Sequence, residues 1–533
     1  MRKFWSVLIS LALLVSMAGC GGSSNSGSSN SGGVVTGDFQ AHEGLPSGDV
    51  HLLVHLQAGN PTVNTEPTEE DSYVLNSPRI VTNVYTSLYP NVTVEFFYNF
   101  SGNSATQVEE QSILIAGGVS PDIFFAWGNA LLATGWLQTV TEYMEGPNEY
   151  EPGNESWKEM YYDYMWGANQ MTKDAHGEIV SVPFYCHVPG TIGIFYNKPL
   201  FQEYGVEIPT TFQELCDLAL MFKENGYTGY APGGGQIGAG NWDFWSMLSP
   251  ALAVGYEALD LDGNQIIDVQ EDLKAAFEGW YYTENNECVR NLFRLYKYKY
   301  AVVHDEGWED IDYSTAWANG KVAMLEDGLW RLPGEASDTK RPFDYGIFLH
   351  PLVNTDTDVT LDGNQIKLDD ASKVRVPEMT EAGPDQLELA IAYSLSKPEL
   401  QNKSQDVLDY CMDYLKFLSA TDNLSMMVEE MNGARVGATK SVKTPGVLVE
   451  WMSQPFKKAL VGGINTQGWG AGDSAAVRGA LLEQYVKDMM TEEEFFKAWD
   501  QEVYDNLHEY VQEQDFDASG YDEYVPAWVN AHS

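Results

Sequence analysis

Residues 260–271 read Asp-Leu-Asp-Gly-Asn-Gln-Ile-Ile-Asp-Val-Gln-Glu. Oxygen donors fall at the first, third, fifth, ninth and twelfth places, on Asp260, Asp262, Asn264, Asp268 and Glu271. The Ile266 carbonyl is available at the seventh. A hard divalent cation collects about six to eight oxygens, and a twelve-residue loop with donors in this order wraps calcium. Gln265 stands sixth, where glycine ordinarily permits the sharp turn, so the expected calcium site is one of modest affinity. The competing reading is an acidic surface loop. A similar string, Leu361 to Ile366, lacks the later carboxylate. With Val359, Leu361, Ile366 and Leu368 alternating about Asp362-Gly363, it reads as a β-hairpin.

A second group of residues suits a different ligand. A pyranose offers hydroxyl edges and an apolar C–H face, so its site needs aromatic platforms beside polar groups. Trp127 and Asn129 follow a short apolar run. Trp242 and Trp245 lie one turn apart after Asn241, and Trp469 and Asp473 sit in a glycine-rich loop. Trp136, Trp157, Trp166 and Trp499 occur in amphipathic stretches and are read as core. Gly233 to Gly238 satisfies a dinucleotide-loop spacing but has no acidic ribose partner, so it is read as a flexible loop. His51 and His55, four apart on one strand, have no third ligand and are read as packed or hydrogen-bonded groups.

These residues need elements to position them. Val50 to Gln57 is a strand-like run. Ser77-Pro78 opens a helix in which Ile80, Val81, Val84 and Leu88 recur at helical spacing. Val92, Val94, Phe96 and Tyr98 alternate as a strand, 106–116 is a helix stopped by Gly117-Gly118, and 122–125 is a further strand. Strands alternating with helices call for a parallel sheet covered by helices, hence an α/β class. In such sheets ligands sit beyond the carboxyl ends of the strands.

Arg2 and Lys3 precede an uncharged apolar run, Phe4 to Val15, too short to span a bilayer. It reads as an export signal. Ser16-Met17-Ala18-Gly19 leads into Cys20, a pattern resembling a bacterial lipobox, which implies cleavage after residue 19 and a lipid on Cys20. Residues 20–46 are then the lipidated cysteine and a Gly/Ser-rich tether, with a reach of about 25–30 Å. The chain is expected outside the cytoplasm, anchored to the cell membrane by that lipid alone.

With 533 residues, at least two domains are expected, and 44% hydrophobic content with 15 Trp, 30 Tyr and 22 Phe is ample for real cores. The 77 acidic against 30 basic residues leave a charge of −47, which excludes nucleic acid and disfavours a polyanionic ligand. Cys186, Cys216, Cys288 and Cys411 are widely spaced; one or two disulfides and buried free thiols both remain open.

Four segments carry a resemblance to a family. Gly118 to Trp127 with Gly135-Trp-Leu137, Phe195-Tyr-Asn-Lys-Pro-Leu-Phe201 with Pro209-Thr-Thr-Phe212, and Trp317 to Met324 with Asp327-Gly-Leu-Trp330 come in order. They are followed by Ala390 to Lys397 with Ala420-Thr421. Over about residues 49–437 the chain resembles the maltose-binding type of extracellular solute-binding protein. The resemblance implies a two-lobed, periplasmic-binding-protein-like (type II) fold with a hinge. One lobe is expected from 47–191 plus 347–420, the other from 192–346 plus 421–533. It implies a monomeric, non-catalytic subunit that captures a carbohydrate and delivers it to the transmembrane subunits of an ABC permease. The aromatic content favours an oligosaccharide. The resemblance also places Trp330 where family members stack an aromatic ring on the ligand, and Tyr185 just before a crossing between lobes. The 260–271 loop resembles an EF-hand loop over its twelve residues alone. The rival readings are a secreted carbohydrate-active enzyme, which needs a spaced pair of carboxylates, and a sensing or adhesive sugar-binding lipoprotein without a permease.

Overall fold

The computed structural model describes residues 37–68, 72–100, 104–126, 131–132, 134–167, 172–187, 192–232, 256–264, 266–303, 313–338, 340–351, 360–361, 364–365, 388–445, 448 and 474–529. Cys20 and the segment before it lie outside them.

Two sheets organise these residues. In the first, strands β1 (Val50–His55), β2 (Val92–Phe96), β3 (Ile123–Phe125), β4 (Ser181–His187), β11 (Glu388–Ser394) and β12 (Val436–Gly437) run in the order β12-β4-β11-β3-β1-β2. The β1 strand lies parallel to β2 and β3, with Val50 opposite Val92 and Val54 opposite Ile123, as expected for strands joined through helices. In the second, β5 (Ile192–Asn197), β6 (Thr228–Pro232), β7 (Val322–Gly328) and β8 (Tyr345–Phe348) run β6-β7-β5-β8. Leu361 and Thr360 pair with Asn364 and Gln365 as β9 (Thr360–Leu361) and β10 (Asn364–Gln365), flanking the expected hairpin turn.

Local chemistry accounts for the covering helices. Pro78 occupies the first turn of the helix Ser77–Leu88, and Val81 and Tyr85, four apart, are sealed against the sheet. Thr211 and Glu214 form a reciprocal capping box on the helix Phe212–Glu224, whose Phe212, Leu215, Ala219 and Phe222 fill the second core. Each such fully buried side chain contributes about 2 kcal/mol of transfer free energy.

The chain passes between the sheets from β4 to β5, returns between β8 and β11, and crosses again after β12. After that last crossing, the helices Ser474–Val486 and Glu492–Glu513 pack with the helix Glu287–Val303, where Arg294 pairs with Glu492 at 2.6 Å. The expected lobe boundaries need two corrections. Residues 347–348 belong to the second sheet, because Ile347 and Phe348 pair with Phe195 and Ile194. Residues 421–437 return to the first: the helix Thr421–Glu430 packs on the helix Ser77–Leu88, and Val436 pairs with Cys186.

The tether also ends sooner than residue 46. Phe39 packs edge-on against Phe417 with ring centres 5.0 Å apart, and the Tyr410 hydroxyl donates to the Pro46 carbonyl at 2.6 Å. His42 Nε2 pairs with Asp413 of the helix Gln405–Ser419. The same buried carboxylate accepts from Tyr85 at 2.7 Å and Tyr150 at 2.8 Å. This hydrogen bond to Asp413 raises His42 above its ordinary imidazole value, against desolvation. Cys186, Cys216 and Cys411 are buried, and Trp157, Trp166 and Trp499 are core residues as read.

Candidate functional site

A cavity of about 330 Å³ opens at the carboxyl ends of β1 and β2, where the strand-end rule places a ligand. The β1 strand ends at His55, and the backbone turns sharply at Gln57, φ +50°. Asn60 ties the turn down, accepting from Leu56 N and donating to Phe97 O, both at 2.8 Å. Gly59 is required there: a Cβ would lie 2.5 Å from the Tyr393 hydroxyl. Beyond β2 the Tyr98 hydroxyl donates to Pro61 O at 2.9 Å, which joins the two walls.

The lining includes His55, Gln57, Asn60, Tyr98, Phe100 and Gln107, and no carboxylate among the described residues. His55 is 6% exposed and meets Phe100 edge-on, ring centres 4.5 Å apart. Its Nδ1 is buried without a hydrogen-bond partner, and burial pulls the imidazole down to about 4, so it is neutral at physiological pH. Such a nitrogen is ready to pair with a ligand hydroxyl. His51, by contrast, is exposed and pairs with Glu95 at the surface.

A second cluster marks the junction of the two sheets. Gly328, at the end of β7, lets the Trp330 ring fold back to where a Cβ would stand 2.2 Å away. Trp330 lies 5.5 Å from the ring of His187, the last residue of β4, and 5.4 Å from the guanidinium carbon of Arg435, just before β12. Arg331 fixes this turn by bridging Asp327 at 3.0 Å and Glu335 at 2.9 Å. Trp330 therefore comes from the second sheet and faces residues of the first.

The 260–271 loop brings one carboxylate oxygen each from Asp260, Asp262 and Glu271 within 4.8 Å of one another. Its backbone is organised by its own donors and acceptors. Gly263 N donates to Asp260 at 2.8 Å, Ile266 N to Asn264 at 2.7 Å, and Leu261 N to Glu271 at 2.6 Å. Asp268 and Glu271 also form the capping box of the helix Val269–Phe277.

Of the residues singled out for a sugar, Trp127, Asn129, Trp242, Trp245, Trp469 and Asp473 lie outside the described residues. Trp330 stands at the junction. Tyr185 is a correction: it is 1% exposed, its hydroxyl rests on Met427 Sδ at 3.6 Å, and it belongs to the first core. The reason is position, since β4 is flanked by β11 and β12 and the Tyr185 hydroxyl reaches Met427 of the helix Thr421–Glu430. Sequence reading took His55 as a packed group, which its 6% exposure and its contact with Phe100 bear out, but did not give it a site role, and it overlooked Arg435. The only available signal for His55 was its place at the carboxyl end of a strand, and Arg435 has no local pattern at all.

Residues 71–373 match the family described as bacterial extracellular solute-binding protein. The chain is 26% identical over 210 residues to a multiple sugar-binding protein of Streptococcus mutans serotype c (strain ATCC 700610 / UA159). That alignment spans 37% of this chain and 44% of the relative, so under half of the relative's length is matched. Among solved structures, a chitin oligosaccharide binding protein superposes with a TM-score of 0.57 at 16% identity, over 86% of this chain and 99% of that one. The maltose-bound MalE3 of T. maritima gives 0.53 at 15% identity, over 85% and 99%. These structures share its two-lobed type II α/β fold. With a match over more than half its length, the chain belongs to the family of bacterial extracellular solute-binding proteins.

Proposed function

We propose that this protein captures a carbohydrate between its two lobes, leaves it chemically intact and delivers it to an ABC permease. The observation that carries the reading is the strand-end cavity. Tyr98 and Phe100 supply apolar ring faces, Gln57, Asn60 and Gln107 supply polar edges beside the neutral His55, and no charge crowds them. That is the mixture a pyranose needs. Trp330 adds a second aromatic face outside this cavity, which favours a ligand of more than one ring. Relatives named for multiple sugars, chitin oligosaccharide and maltose support the same class.

Capture without catalysis is supported by what the buried carboxylates do. Glu326 and Asp327 are both pushed up by burial, yet Glu326 lies 3.4 Å from Lys299 and Asp327 is held by Arg331, and neither lines the cavity. We further assign the lipid anchor to Cys20 and a structural calcium ion to Asp260, Asp262, Asn264, Ile266, Asp268 and Glu271. Labelling with a radioactive fatty acid, lost on Cys20→Ser, checks the anchor.

The test of capture is thermal unfolding against a panel of mono- and oligosaccharides. A ligand binding only the folded state adds RT ln(1 + [L]/Kd), so a micromolar binder at millimolar concentration adds about 4 kcal/mol. A shift with a sugar recovered unchanged by mass spectrometry is the expected result. A cleaved sugar, or no shift across the panel, contradicts the reading.

A further inference from the structure

Arg435 is a half-buried cation whose Nε is sealed inside the protein, without a counter-charge among the described residues. Its Nη1 donates to the adjacent Ala434 carbonyl at 2.7 Å, its Nε is sealed from solvent with no hydrogen-bond partner, and among the described residues it forms no ion pair. Arg331 and Arg341 differ from it in having ion pairs, although Arg331 Nε is likewise buried without a hydrogen-bond partner. Arg331 sits between Asp327 and Glu335, and Arg341 lies 2.5 Å from Glu335. The groups that face Arg435 are Tyr73, Tyr393 and His187, and none is an anion at neutral pH. Burial raises both tyrosines, and burial together with Arg435 keeps His187 neutral. Desolvation draws the guanidinium itself down to about 10. An unpaired charge partly withdrawn from water is costly, and a chain that keeps one keeps it for a partner that arrives.

We infer that Arg435 receives a carboxylate from the ligand, and that the captured saccharide contains a uronic acid. This rests on the proposed carbohydrate capture and narrows it. The placement supports the chemistry. Arg435 belongs to the first lobe and is held flat by Trp330 of the second, 5.4 Å from the ring centre, so it stands where the lobes meet. A uronic acid joins an apolar ring face, which an aromatic platform accepts, to a planar carboxylate. That carboxylate can accept charge-assisted hydrogen bonds from the Nη end of the guanidinium. The net charge of −47 does not oppose this. Exposed charges are screened beyond about 8 Å at physiological ionic strength, whereas a half-buried, unpaired cation still acts on a group in direct contact. The acidic skin disfavours a polyanion; Arg435 admits a single carboxylate.

The experiment is calorimetric titration of the full chain, in a detergent without a sugar headgroup, with matched acidic and neutral disaccharides. The pairs are cellobiouronic acid with cellobiose, digalacturonic acid with galactobiose, and glucuronosyl-xylose with xylobiose. The acidic member of one pair is expected to bind about tenfold or more tightly than its neutral partner, the range of a charge-assisted hydrogen bond. Arg435→Gln should erase that preference, while Arg435→Lys retains part of it. Equal or better binding of the neutral member in every pair overturns the inference and leaves carbohydrate capture standing. An equal loss for both members in Arg435→Gln makes the residue structural and overturns it as well. No binding by any member sinks the carbohydrate reading and this inference with it. The wild-type comparison decides even if Arg435→Gln fails to fold.

Discussion

Two buried polar sites in the first lobe have opposite bookkeeping. Around Asp413 every strong donor and acceptor is matched: His42, Tyr85 and Tyr150 converge on one carboxylate, and Tyr89 and Tyr150 join hydroxyls at 2.8 Å. At the strand-end cavity and the junction, His55 Nδ1 and Arg435 Nε are buried and unmatched. A satisfied network holds a fold together; an unsatisfied one has a stability cost and is kept where something else supplies the missing partner. The difference separates groups that hold the lobe and its N-terminal strap in place from groups that await a ligand.

The largest expected effect comes from breaking the satisfied site. Asp413→Ala strands two buried donors, Tyr85 and Tyr150, and the half-buried His42, and should lower unfolding stability by about 3–5 kcal/mol, read from denaturant midpoints. Ligand affinity of the folded fraction should stay put. Arg435→Met, by contrast, should leave the ligand-free protein within about 1 kcal/mol of wild type, the size of an exposed cation–π contact. A drop as deep as that of Asp413→Ala would erase the distinction.

Acid titration sharpens the contrast because the two histidines act with opposite sign. His55 is pulled to about 4 by burial, below the ordinary value of 6.5. Between those pH values the unfolded chain takes up a proton that the folded one refuses. Stability present above pH 6.5 is therefore lost as pH falls towards 4, by at most about 3 kcal/mol. His187 and His350 are lowered too and steepen the same limb. His55→Leu should flatten it in part. His42 is raised by Asp413, so its contribution is complete below pH 6.5 and is lost as pH rises through its elevated value. His42→Gln should flatten that upper limb and leave the acid limb unchanged.

On binding, His55→Leu removes one hydrogen bond to a ligand hydroxyl and should weaken affinity by about 1 kcal/mol, near fivefold, without loss of stability. Calcium has an effect of similar size. With a dissociation constant of about 0.1 mM, millimolar calcium adds about 1.4 kcal/mol, and Glu271→Gln should abolish the calcium-induced shift in unfolding temperature. A shift that survives that substitution places the ion elsewhere.

Much of the first lobe was legible because its order is local. Ser77-Pro78 starts a helix, Val81 faces inward, and Val92, Val94 and Phe96 alternate along β2. Ile80 was read into the apolar face yet is 41% exposed, since the helix needs only a narrow stripe against the sheet. Non-local pairings were not legible. The β11 strand enters from residues 388–394 to lie between β3 and β4, and β12 follows on β4's other side; nothing in either segment names its neighbours. The site divides the same way. The 260–271 loop declares its donors by spacing, whereas His55 and Arg435 gain meaning only from burial and from the partners they lack.

The central claim is that His55 is left unmatched for a ligand. A crystal structure of the chain with the sugar that stabilises it most would measure this directly. The account predicts a sugar hydroxyl about 3 Å from His55 Nδ1, with a ring against Tyr98 or Phe100. A sugar bound elsewhere, with Nδ1 still alone in its cavity, would contradict it.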